Sequence, residues 1–282
     1  MELTKRDLDV MTALEKWGVM GLGQLDGFLF RSGAPDAERL RLFFNDLTRE
    51  DHWGGAYKRL RTLVQAGLVK TFRPINYWQV YMLTGRGHER LRENQRASFM
   101  HPIQGVGEAY LRHEITVCGV GLVMTELLGL KVETARQTWE QIRRRGVLRK
   151  GDSKLTFPDL IAVDAQGDRH TIEVELTAKS RERYRELFSD RKGLWRRQQR
   201  WSDQEKCWKG GTVLYLTGWP TGVEHIIHLA RKSQAGSVHA ASLSDFRASL
   251  GRCEYEKLSS VGGRRKFSLT AAKAAPLAEV AA

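Results

Sequence analysis

Apolar residues repeat at helical spacing in the first third of this chain and alternate at strand spacing in the middle of its second half. Thr4 and Asp7 form a capping-box pair, and Leu8, Met11, Leu14 and Trp17 then follow every three or four residues, which predicts a helix over 5–17. Leu22 to Phe30 predicts a second short helix, weakened by Gly23 and Gly27. Pro35 opens a further helical pattern, Ala37 to Asp46, read as an insertion where a plain three-helix unit has only a turn. From Gly54 onward, Leu60, Leu63 and Val64 make an inward stripe while Tyr57, Lys58, Arg59 and Arg61 point elsewhere. The run Ala66-Gly67-Leu68-Val69 then ends the helix and starts a strand. Leu68 to Phe72 and Tyr77 to Leu83, separated by Arg73-Pro74-Ile75-Asn76, predict a hairpin, and Thr84 caps a closing helix that runs to Asn94.

A helix that passes into a hairpin in this way resembles the recognition helix and wing of a winged helix-turn-helix domain, over residues 1–97. In such a domain the recognition helix lies in the major groove and the wing touches the backbone beside it. The resemblance therefore implies DNA contacts from Tyr57, Lys58, Arg59 and Arg61, with Arg73 on the wing. The plainer alternative is a solvated helix on a protein-binding module.

Residues 98–106 lack a period and contain Pro102 and Gly105, as a linker does. A second domain, 107–258, starts with a broadly apolar helix, Glu108 to Leu128. Lys131 to Gln137 alternates like a strand, and Arg143 to Arg145 with Arg149 and Lys150 read as a basic loop. Phe157 to Asp164 and His170 to Leu176 are two further strands joined by a tight turn at Gln166 to Asp168. A helix follows, then the apolar and hence central strand Val213 to Thr217, a helix from Val223 to Arg231, and a last strand near Ser237 to Ala240. Residues 259–282 are small and polar and are expected to be a loosely ordered tail. The fold class is mixed α/β, with second-domain order α-β-β-β-α-β.

Strand alternation puts Glu173 and Glu175 on one face and Ile172, Val174 and Leu176 on the other. The turn brings Asp159 opposite them, so three carboxylates share one region. Such crowding is unfavourable without a compensating cation, and an all-oxygen donor set suits Mg²⁺ or Mn²⁺. Lys179 leaves the strand toward the same end. The competing interpretation is a hairpin bearing ordinary solvated acids, since Glu-Val-Glu is a common strand pattern.

Charge sharpens this picture. Lys and Arg outnumber Asp and Glu by 46 to 33, a net charge of +13, which favours a polyanionic partner over an acidic small molecule. From Lys179 to Lys209 there are 11 Lys and Arg against 5 Asp and Glu. Arg196, Arg197 and Arg200 follow helical spacing there, which predicts phosphate contacts from a basic helix, with Trp195, Trp201 and Trp208 packed inward. The three cysteines are too scattered for a disulfide framework or a zinc site, which fits a reducing cytoplasm. No apolar run approaches the roughly 20 residues of a membrane span, and the N-terminus lacks the apolar stretch of a signal peptide.

Pro158-Asp159 on one strand and Glu173-Val174-Glu175 on the next resemble the PD-(D/E)XK restriction-endonuclease-like nucleases. That resemblance implies Asp159 and Glu173 as metal ligands and a lysine at the third position, where this chain has Glu175. It also implies that Glu114, early on the first helix of the domain, completes the metal shell, and that Glu175 or Lys179 positions the water. With His113-Glu114 and the run Glu173 to Lys179 behind a winged helix, the chain resembles the replication-relaxation family, related to plasmid relaxases of the MOBC class. The resemblance spans residues 4–230 and implies hydrolytic nicking of double-stranded DNA at a transfer origin, with a mobilisation accessory protein and a coupling protein as further partners. The His-x-His triad and tyrosine nucleophile of commoner relaxases are absent; His225 and His228 are spaced His-x-x-His. The alternatives are a non-catalytic DNA-binding regulator or relaxosome accessory, and a general restriction or repair nuclease.

Overall fold

In the computed structural model the described residues are 2–46, 54–73, 79–94, 96, 106–144, 157–165, 167–188, 200–202, 207–209, 212–233, 238–258 and 264–269. The chain is mixed α/β and divides into two compact units, residues 1–123 with 136–148, and residues 124–135 with 149–282.

The first unit opens with α1 (Lys5–Trp17) and β1 (Val19–Gly21), followed by α2 (Leu22–Leu25), which runs into a π-helical turn, Asp26–Phe30. Next come α3 (Asp36–Phe43), α4 (Gly54–Gln65), β2 (Val69–Phe72), β3 (Val80–Leu83) and α5 (Gly85–Glu93). The capping box at the head of α1 forms: Thr4 N donates to Asp7 Oδ2 at 2.8 Å and Asp7 N to Thr4 Oγ1 at 3.3 Å. β1, β3 and β2 make an antiparallel sheet in that order, so Val19 to Gly21 adds a strand the period did not predict. Gly67, at φ +69°, takes the left-handed conformation that turns α4 into β2.

α6 (Glu108–Glu126) is expected to start the second domain, but it packs on the first. Leu111 and Ile115 join Val19, Val80 and Met82 in one core, and Gln24 Nε2 donates to Ile115 O at 2.7 Å. Gly119 lets the helix come close: a Cβ there would lie 2.5 Å from Phe43 O. The expected basic loop after β4 (Lys131–Thr134) is also partly a helix, α7 (Ala135–Arg144), where Arg143 and Arg144 both reach the buried Glu140. Arg145, Arg149 and Lys150 lie outside the described residues.

The second unit holds β5 (Leu160–Val163), β6 (Arg169–Glu175), α8 (Arg181–Phe188), β7 (Arg200–Ser202), β8 (Cys207–Lys209) and β9 (Val213–Thr217). It continues with α9 (Gly222–Lys232), β10 (Val238–Ser242), α10 (Leu243–Ala248), β11 (Glu254–Leu258) and β12 (Arg264–Ser268). Its main sheet runs β12-β11-β10-β9-β6-β5-β4, with β6, β9 and β10 parallel and the outer pairs antiparallel. β9 is central, as its apolar composition predicts. Tyr184, Leu187 and Phe188 of α8 and Ile226 and Ala230 of α9 cover one face, meeting Val213, Tyr215, Val238 and Ala240.

Two expectations fail here. Residues 264–268 are an edge strand paired with β11 rather than tail, because a basic, polar sequence is well suited to a sheet edge. Arg200 opens a strand whose partner across the hairpin is Lys209, rather than continuing a basic helix. Arg196 and Arg197 lie outside the described residues, as does Trp195. Among the described residues no helix is long and apolar enough to cross a membrane.

Candidate functional site

β6 is the element that positions the chemistry. Leu160 pairs with Ile172 on one side of it, and Glu173 and Glu175 pair with Tyr215 and Thr217 on the other. Paired residues share a face, so Glu173 and Glu175 lie on the side covered by α8 and α9, while Ile172 and Val174 face the opposite side. Both glutamates are buried, at 5% and 4% exposure. Burying a carboxylate is costly unless hydrogen bonds or cations compensate.

Asp159 precedes the first paired residue of β5. Its carbonyl accepts from Ala135 N at 3.1 Å, and its Oδ2 accepts from Val174 N at 2.8 Å. The β5–β6 ladder ends at Leu160, and the carboxylate of Asp159 takes the next inward N–H of β6 in place of a strand partner. Asp159 is thereby fixed beside the residue that separates the two glutamates.

Lys179 Nζ donates to Glu175 Oε1, giving that carboxylate a cation four residues along the chain. The loop carrying Lys179 is held at both ends. Gly218 N donates to Glu175 O at 2.7 Å, and Lys179 N donates to the Tyr184 hydroxyl at 3.2 Å. Burial pushes the Tyr184 hydroxyl up to about 12, with Glu175 adding to the rise against the lowering effect of the Lys179 N–H. The Tyr215 hydroxyl is held well above its ordinary value, by burial first and then by Glu173, Glu175, Tyr184 and Asp159. One phenol therefore feels all three carboxylates. Neither tyrosine was among the residues read from sequence, although Tyr215, polar within the otherwise apolar run of β9, was the available signal.

Glu133 and Arg169 pair on the same face at 2.9 Å, farther from the Glu175 end. At that end, a cleft of about 660 Å³ opens where β9 and β10 finish, walled in part by Thr217, Trp219, Glu224 and Asp245. Ligands of open sheets with parallel strands bind at this end of the strands.

Among the described residues no three or more His, Cys, Asp or Glu side chains converge as a metal-holding group. Asp159, just before β5, and Glu173 and Glu175 on the neighbouring β6 offer only carboxylate oxygen, the donor type that a hard divalent cation takes. Glu114 lies on α6 in the first unit, half-exposed, with His113 Nδ1 3.8 Å from its Oε1. The structure places Asp159 against the backbone N–H of Val174, between Glu173 and Glu175, and Lys179 on Glu175, and leaves Glu114 in the other unit.

In the first unit, Tyr57, Lys58 and Arg61 are exposed on α4, and Arg73 is exposed just after β2. Arg59 is engaged differently. Its guanidinium forms two hydrogen bonds with the buried Asp7 carboxylate and a third, at 3.2 Å, with Thr4 Oγ1. It serves to anchor α4 to α1, a contact across 52 residues that spacing along α4 does not disclose.

No protein-family model matches the chain, and neither does any curated protein or solved structure.

Proposed function

We propose that this chain is a metal-dependent DNA endonuclease that nicks a phosphodiester by hydrolysis, with Asp159, Glu173, Glu175 and Lys179 as its reactive centre. One observation supports this reading: Asp159 is bonded to the backbone between Glu173 and Glu175, Lys179 is bonded to Glu175, and Tyr215 feels all three carboxylates, near a cleft at the ends of the parallel strands. Asp159 and Glu173 would hold Mg²⁺ or Mn²⁺. A divalent cation bound there supplies charge that polarises a phosphoryl oxygen and lowers the pKa of a coordinated water. Glu175 orients the Lys179 ammonium, and Tyr184 holds the backbone of Lys179, so that a cation stands at the rim where the phosphate's negative charge increases during attack.

Delivery to DNA is attributed to the first unit, read as a winged helix. The succession α4, β2, β3 and the exposed Tyr57, Lys58, Arg61 and Arg73 support that interpretation, as does the net charge of +13. The second unit is read as a restriction-endonuclease-like domain on its β5–β6 hairpin and motif residues. The resemblance to replication-relaxation proteins and MOBC-class relaxases narrows the substrate to a transfer origin.

The test incubates the purified chain with supercoiled plasmid bearing the origin of its own element, with Mg²⁺, Mn²⁺ or EDTA, beside Asp159→Ala and Glu173→Ala. Metal-dependent open-circle product that both variants abolish supports the nickase. A second reading, a DNA-binding regulator that retains the fold without cutting, is favoured by the engagement of Asp159 with Val174 N and of Glu175 with Lys179. Tight specific binding with no nicking under any metal would select it.

A further inference from the structure

Between α8 and α9 the second unit carries a concentration of charge opposite in sign to the carboxylates. A cavity of about 460 Å³ opens there, walled by Arg181 and Arg185 of α8 and by His225, His228 and Lys232 of α9. Leu229 and Ser233 also line it, and among the described residues no Asp or Glu does. The spacing explains the convergence. Arg181 and Arg185 are one turn apart on α8, and His225, His228 and Lys232 succeed one another at three and four residues on α9, so each helix contributes one basic stripe.

Like charges held this close repel one another unless an anion lies among them. Acidic neighbours are at hand but are used elsewhere or lie outside the cavity: Glu186 pairs at 3.2 Å with Arg183, which is not part of the wall. Among the described residues Arg181 and Arg185 form no ion pair. His225 is held edge-on against Tyr184, with ring centroids 5.7 Å apart, and its Nε2 is buried without a hydrogen-bond partner among the described residues. A buried polar atom in that state gains when a partner arrives.

We propose that this cavity is a phosphate-binding site that takes a phosphate group of a polynucleotide strand. Guanidinium forks match phosphate oxygens two at a time, and lysine adds a point charge. The cavity falls within the range of about 300–1,000 Å³ usual for ligand sites. Among the described residues its walls are cationic and imidazole groups rather than aromatic rings that stack a base, which favours phosphate as the group bound. Tyr184 links it to the carboxylate end, since the ring that abuts His225 carries the hydroxyl that accepts from Lys179 N. The site does not depend on the carboxylates cutting DNA, and a non-cutting chain would possess it equally.

The test measures equilibrium binding of a labelled oligonucleotide to the full chain in EDTA, with inorganic phosphate and AMP as competitors at constant ionic strength. The double variant Arg181→Ala/Arg185→Ala is expected to bind at least tenfold more weakly and to lower the slope of log affinity against log salt by about 1–2. Arg181→Lys/Arg185→Lys, which keeps the charge, is expected to fall between, and Arg183→Ala to match wild type. Competition by AMP or phosphate that is lost in the double variant identifies a free phosphate compound as a second source of the same chemistry. Wild-type affinity and slope in the double variant overturn the site, and so does a loss that Arg183→Ala reproduces in full. Thermal unfolding of each variant confirms that the fold is kept, and nicking with Mg²⁺ is scored separately, so failure of the nuclease does not count against the cavity.

Discussion

Asp159 accepts a hydrogen bond through Oδ2 from the backbone N–H of Val174, the residue that separates Glu173 from Glu175. The same carboxylate is thus both a piece of sheet edge and a proposed metal ligand, and two substitutions separate the roles. Asp159→Asn keeps an acceptor for Val174 N but removes the charge. It should leave the unfolding temperature within about 2 °C of wild type and abolish nicking beyond the roughly 10–100-fold lost when only an outer partner of a metal ligand is removed. Asp159→Ala should add about 1–3 kcal/mol of destabilisation by leaving that N–H unpaired. Plasmid nicking measured beside thermal unfolding checks both, and wild-type nicking by Asp159→Asn would remove Asp159 from the centre.

The Lys179 side chain is 38% exposed and Glu175 is buried, so their ion pair matters more to the carboxylate than to the fold. Lys179→Met is expected to slow single-turnover nicking by about 100-fold, the scale of one lost donor to a developing charge. Stability should fall by no more than about 1 kcal/mol, because solvent screens the exposed ammonium. Unchanged turnover would assign Lys179 to charge compensation alone.

Arg59 and Arg61 are near neighbours on α4 with opposite expected behaviour. Arg59→Ala strips the partner from the buried Asp7 and should cost about 2 kcal/mol, allowing for partial exposure of the guanidinium. Arg61→Ala should leave stability unchanged, weaken DNA binding and lower its salt slope by about 1. Denaturant unfolding and a salt titration of binding are the measurements, and a stable Arg59→Ala protein would contradict the anchor.

Burial alone would raise the Asp7 carboxyl, but the hydrogen bonds from Arg59 and Thr4 outweigh it and hold the group below its ordinary value of 3.8. Because the folded value lies below the unfolded one, the stabilisation is complete above about pH 4 and disappears as pH falls through the folded value. Unfolding followed from pH 7 to 2 should therefore show a loss of stability in the acid range that is reduced in Asp7→Asn.

Gly119→Ala tests the seating of α6 by the sign of its effect. On a free helix surface the change would stabilise by up to about 1 kcal/mol. Against Phe43 O at 2.5 Å and Phe44 Cδ1 at 3.2 Å it should instead destabilise by about 1–3 kcal/mol. A rise in unfolding temperature would mean that α6 does not pack on α3.

What the sequence made legible was local. The Thr4–Asp7 capping box, the Thr84 cap and the shared face of Glu173 and Glu175 follow from spacings of two to four residues, which backbone geometry alone controls. What it hid was decided by distant partners. Arg59 is claimed by a residue 52 positions away, and α6 is held by a Gln24 contact across 91. β1 and β12 are short or strongly basic strands that exist because a neighbouring edge was free to pair.

β6 carries acids on one side and aliphatic residues on the other while paired along both edges, with β5 and with β9. One residue inserted between Arg169 and Glu175 would exchange the two sides for part of the strand, driving a carboxylate into the aliphatic layer and withdrawing it from Lys179. Length in this strand is therefore as strictly constrained as residue identity. Insertions at the Asp164 to Asp168 turn should be tolerated far better than any within the seven residues of β6.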